Sequence, residues 1–119
     1  MQYSPNTQFL LGIKTGLSQT GIPVYFKLPS KDVPEPFYVI GNHLDDDSPS
    51  AKFGKAIVDT DLQIDLFYPI DSRTELEEVI FKTKQALGNR RGITSDPRTD
   101  NSIGREVYHV VFKIKDFII

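Results

Sequence analysis

Two long stretches of the chain alternate between apolar and polar residues, and a helix-sized segment with marked ends lies between them. Over residues 55–68, Val58, Leu62, Ile64, Leu66 and Tyr68 share one face, while Asp59, Asp61, Gln63 and Asp65 share the other. Downstream, Tyr108, Val110, Phe112 and Ile114 alternate with His109, Lys113 and Lys115, Val111 being the exception. A period of two marks a strand with one face buried and one wet. Between these strands, residues 72–88 open on Ser72-Arg73-Thr74-Glu75, a capping box in which serine and glutamate satisfy each other's free backbone donors. Leu76, Val79, Ile80 and Leu87, completed by Thr83, form a core stripe at helical spacing, and Gly88 closes the helix. Glu75, Glu77 and Glu78 fall near its positive end and Lys82 and Lys84 toward its negative end, matching the helix dipole.

The remainder of the chain fits around this unit. Ser4 caps a first helix with Pro5 in the first turn, where a missing N–H costs nothing. Phe9, Leu10, Ile13 and Leu17 recur at helical spacing up to Gly21. Gly12 and Gly16 lie inside it, each costing up to about 1 kcal/mol relative to alanine, so the helix must lean on tertiary contacts. Either it is simply loose, or the glycines let a neighbouring backbone or subunit come close. Residues 22–28 read as a first strand, with Val24, Phe26 and Leu28 on one face. Pro29, Pro34 and Pro36 break up the connection to a short second strand, 36–41, that ends on Gly41. Residues 42–54 and 89–104 read as long loops, the last strand as 105–114, and the apolar end Phe117-Ile118-Ile119 as a packed terminus. The expected fold is a single α+β domain: a mainly antiparallel four-stranded sheet with two helices packed on one face.

Composition narrows the function. The chain has 119 residues, 39% hydrophobic and 25% charged, with a formal net charge of −2, so no global positive field recruits nucleic acid. It has no cysteine, which excludes disulfides, thiolate metal sites and cysteine nucleophiles. No apolar run reaches the roughly 18 residues of a membrane span, and the polar start lacks the layout of a signal peptide. A soluble, unexported protein is expected.

Candidate chemistry is sparse. Asp59, Asp61 and Asp65 lie along one strand face with about 6.5–7 Å between i and i+2 positions. With Lys113 or Lys115 and a further carboxylate, they could hold a divalent metal in a nuclease-like site. Alternation alone predicts the same row as a solvated face. His43 beside Asp45, Asp46 and Asp47 has the residue types of a metal site, but adjacent carboxylates point apart where metal ligands converge, so a solvated acidic loop is expected. Arg90, Arg91 and Arg98 populate the second loop, with Arg105 at its end. Asp96 and Asp100 dilute their field and no aromatic lies in the loop to stack on a base, which favours protein contact over phosphate. With two histidines there is no nucleophile–base–acid set, no G-x-S-x-G elbow and no Gly-rich phosphate loop.

The element order carries a resemblance. Pro36-Phe37-Tyr38-Val39-Ile40-Gly41, a polar acidic loop, an alternating strand ending Leu66-Phe67-Tyr68, and a helix ending Lys82-x-Lys84-x-x-Leu87 are similar, from about Phe9 to Lys115, to the tail terminator (tail completion, or head–tail joining) proteins of long-tailed bacteriophages. The resemblance implies a structural virion protein rather than an enzyme. Such a protein is made in the host cytoplasm and forms a hexameric ring that caps the tail tube and meets the head completion or connector protein. It implies no cofactor, no metal, no membrane and no catalytic residues, and DNA passes through the lumen without specific binding. Asp59, Asp61 and Asp65 would then line or flank a channel that must not grip DNA. The arms bearing Asp45, Asp46 and Asp47, and Arg90, Arg91 and Arg98, would contact neighbours, tube and connector. Another head-completion or connector protein, or less readily the metal nuclease, is the competing expectation.

Overall fold

The computed structural model describes residues 3–46, 58–71, 73–88 and 92–118, with the backbone alone for 42–46, 58–59 and 117–118. The elements are α1 (Pro5–Ser18), β1 (Val24–Tyr25), β2 (Phe37–Asp46), β3 (Val58–Pro69), α2 (Arg73–Leu87), β4 (Gly92–Asp100) and β5 (Val107–Ile118). The strands form one five-stranded sheet in the order β1-β2-β3-β5-β4. The α+β class stands, but the expected four-stranded sheet does not. The segment 92–100, expected to lie in a loop, is an edge strand paired along its whole length with β5. The sheet is mixed, because β1 runs parallel to β2 while the other neighbours are antiparallel. A parallel step needs a crossover of roughly a dozen residues; the proline-punctuated 26–36 connection supplies it. It also leaves β1 as a two-residue strand where 22–28 was expected.

Capping explains where α1 begins. The Thr7 backbone N–H donates to Ser4 Oγ at 3.3 Å, and Pro5 stands at the start of the helix. The two helices cover one sheet face. Ile13 and Leu17 of α1 and Leu76, Ile80 and Leu87 of α2 form one buried cluster with Tyr38, Ile40, Leu62, Ile64, Leu66, Val110, Phe112 and Ile114. These are the apolar positions of the alternating strands, and each full burial contributes about 1.5–3 kcal/mol. Thr83 is buried too, yet satisfied. Its hydroxyl donates to the Val79 carbonyl at 2.7 Å, so the 2.6 Å contact with Tyr38 has the phenol as donor.

Two glycines mark close approaches. A Cβ on Gly16 would lie 2.7 Å from the Ala86 carbonyl oxygen, so this residue lets α1 and α2 meet backbone to backbone; Gly12 has nothing within 4 Å. Gly41 does not end β2. It sits in a β-bulge, where Ile40 pairs with Ile64 and His43 with Leu62, and its Cβ would lie 3.2 Å from the Gln63 carbonyl. The strand therefore continues to Asp46, into the segment expected to be a loop. The result is an elongated body of 51 × 28 × 25 Å.

Candidate functional site

The face of the sheet away from the helices holds the convergent polar groups. Antiparallel register places Phe37, Phe67, His109 and Arg98 in one row across β2, β3, β5 and β4. Phe37 stacks on Phe67 at 5.1 Å, His109 stacks on Phe67 at 4.5 Å and 17°, and Tyr25 meets Phe37 edge-on. The imidazole is held between two carboxylates on diagonal positions. Nε2 lies 2.7 Å from Asp65 Oδ1 and Nδ1 lies 2.9 Å from Asp100 Oδ2.

Ionised carboxylates only accept, so both contacts are hydrogen bonds when both ring nitrogens carry a proton, and the site favours the imidazolium form of His109. Hydrogen bonding to Asp65 raises its pKa above the ordinary imidazole value, burial opposing this and Asp100 reinforcing it. The Ser102 backbone N–H, which donates to Asp100 at 2.7 Å, is the main cause that lowers the Asp100 pKa, with the Ser102 hydroxyl and His109 adding to it. The Phe67 ring face favours the charge stacked on it. All three side chains are four-fifths buried or nearly so. The cluster thus ties β3, β5 and the far end of β4 together. With both nitrogens occupied, the ring has no lone pair left to take a proton from a substrate.

A second polar knot closes the neighbouring end of this face. Arg105 donates through Nε to both Glu35 carboxylate oxygens at 2.9 Å, and through its terminal nitrogens to the Lys31 and Val33 carbonyls at 2.6 and 2.8 Å. The guanidinium lowers the Glu35 pKa, against the opposing effect of burial. These bonds hold the 26–36 connection against the β4–β5 turn, over a small apolar cluster of Phe37, Val39, Phe67 and Val107. Between the two segments lies an open cleft of about 340 Å³, walled by Leu28, Pro29, Phe37 and Ile103. A polar hollow of about 350 Å³ lies over Gln63, Val111 and Lys113 on the open sheet face.

The residues singled out from the sequence are not brought together. Asp45 and Asp46 belong to β2, in register with Thr60 and Asp59, rather than to a loop. Asp47, Arg90 and Arg91 lie outside the described residues. Arg98 is on β4, not on a loop, and pairs with Asp96 two residues away. Asp59 stands in β3 opposite Phe117, Asp61 is exposed, and Asp65 is engaged by His109, so the aspartate row is not one uniform environment. Among the described residues no three His, Cys, Asp or Glu side chains converge in the manner of a metal site. The Asp65–His109–Asp100 clamp and the Glu35–Arg105 pair went unread in the sequence. The available signal was that His109 and Asp65 both occupy polar positions of alternating strands; what aligns them is the β3–β5 register.

No helix among the described residues is long and apolar enough to cross a membrane. No protein-family model, curated protein or solved structure matches the chain.

Proposed function

We propose that this chain is a structural assembly protein of a long-tailed bacteriophage, a tail terminator whose ring caps the tail tube and joins it to the head connector. The family resemblance of the element order points to that role. The observation that carries the non-catalytic part of the reading is the closure of the polar groups on one another. His109 has both nitrogens bound to carboxylates, and Arg105 is spent on Glu35 and two carbonyls. A general base needs a free lone pair within reach of its proton, and neither knot offers one. Both knots instead brace an elongated sheet, which suits a part that transmits load between neighbours. In the ring, the exposed Asp61 faces phosphate as a repelling charge, while Asp65 is neutralised by its imidazolium partner.

The test is the mass of purified protein by light scattering over a concentration series, with and without magnesium, together with electron microscopy of any large species and of added tail tubes. A closed sixfold ring that sits on tube ends is the expected result. A protein that stays monomeric even with tubes present, and leaves their ends bare, would overturn the reading.

A further inference from the structure

A sheet edge is a row of backbone N–H and C=O groups open to another strand. Among the described residues this sheet has two, and the register shows which part of each is open. On one side β1 covers β2 at Tyr38 and Val39, and no strand pairs with the outer edge over residues 40–46. On the other side no strand pairs outside β4, but Pro97 has no N–H to donate. Tyr38, Leu66, Val110 and Pro97 form one row across the sheet. The covered stretch of one edge and the proline of the other therefore stand at the same height. The unobstructed stretches, 40–46 of β2 and 92–95 of β4, stand together at the opposite end, where Leu44, Asp61, Lys115 and Gly92 share a row.

Direction agrees with height. Three successive antiparallel pairings make β2 and β4 run opposite ways. A second copy set beside the first in the same orientation presents its β4 antiparallel to this β2, with the open stretches facing. Two β4 edges pairing symmetrically along the whole strand would instead carry Pro97 into the shared ladder.

We propose that the open stretch of β2 in one protomer pairs antiparallel with the open stretch of β4 in a second copy, continuing the sheet head to tail. Each protomer has one edge of each kind, so the contact is heterologous: it builds a ring where the rotation closes and a filament where it does not. This deepens the ring reading, which supplies the closure; the edge contact itself rests on the register.

The absence of native cysteine makes the test clean. In an unshifted register Thr94 faces the β2 bulge, since both lie on the Gln63–Lys113 row. Antiparallel neighbours there fall within the roughly 4.4–6.8 Å Cα separation of a disulfide. Asn42→Cys and Thr94→Cys proteins are oxidised singly and mixed, with Leu44→Cys as a second β2 probe and circular dichroism confirming that each variant folds. The expected result is a disulfide-linked heterodimer in the mixture, little homodimer from either variant alone, and loss of the monomer band into a ladder when both cysteines share a chain. Homodimer from Thr94→Cys alone, or no cross-link with either β2 probe, would overturn the proposal. A sixfold ring in scattering without these cross-links leaves the ring reading standing and removes the edge contact. A ladder of open chains does the reverse.

Discussion

Alanine at Gly16 and alanine at Gly12 make the same covalent change in the same helix and meet opposite surroundings. Both recover helix propensity, worth about 0.8–1 kcal/mol relative to glycine. At Gly12 the new Cβ finds nothing within 4 Å, so Gly12→Ala keeps the whole gain. At Gly16 the Cβ would stand 2.7 Å from the Ala86 carbonyl oxygen, a backbone atom that cannot rotate away as a side chain would. Relief requires α1 and α2 to part by several tenths of an ångström, and Ile13, Leu17 and Leu87 share the core those helices cover. Overpacking of this kind costs about 1–3 kcal/mol. Gly16→Ala is then neutral to about 2 kcal/mol destabilising, once the propensity gain of about 1 kcal/mol is set against the clash. The propensity terms cancel in the difference between the two variants, leaving the clash alone, about 1–3 kcal/mol. Urea unfolding reads this directly: with an m-value of about 1–3 kcal/mol/M, the two midpoints separate by about 1 M at unchanged m. Equal midpoints, or Gly16→Ala above Gly12→Ala, would show that the helices do not approach at Gly16 and would refute the packing argument.

Other perturbations read the polar groups and the core. The His109 pKa is raised in the folded state, so its stabilisation is complete below the unfolded value of about 6.5 and is lost as pH rises through the folded value. Urea midpoints taken from about pH 6 to about pH 9 should fall for the native protein and stay flatter for His109→Gln, whereas parallel profiles would discard the clamp. On the acid side, the lowered pKa of Asp100 gives stability that is present above about 3.9 and lost as pH falls through the folded value, so Asp100→Asn should flatten the acid limb. Tyr38→Phe removes a buried donor to Thr83 and should cost about 0.5–1.5 kcal/mol. Thr83→Val should then cost less when combined with Tyr38→Phe than alone, a coupling that a double-mutant cycle measures. Leu62→Asp places an unpaired charge at a position 1% exposed and should abolish the cooperative unfolding transition, while Val79→Asp, half-buried at the core's margin, should cost distinctly less.

Local chemistry in the chain was enough to place much of the frame. Ser4 and Pro5 start α1, the stripe of Leu76, Ile80, Thr83 and Leu87 is the buried side of α2, and the period of two in β3 and β5 puts Leu62, Ile64, Leu66, Val110, Phe112 and Ile114 on the core face. Those signals act over one or two turns or a few strand residues, the range at which side-chain spacing and capping operate. Tertiary structure decided the rest. Gly92–Asp100 is rich in glycine, proline, serine and aspartate, which do not favour a strand, and it becomes one because β5 offers a ladder along its length. Gly41 could equally stop a strand or bulge it, and the Gln63 carbonyl beside it selects the bulge. The aspartate row looked uniform because alternation assigns a face but no partner. The fold brings His109 to Asp65 across 44 residues of sequence and Arg105 to Glu35 across 70. No local pattern specifies such pairs: they exist only once strand register and the two turns have fixed which positions stand opposite one another.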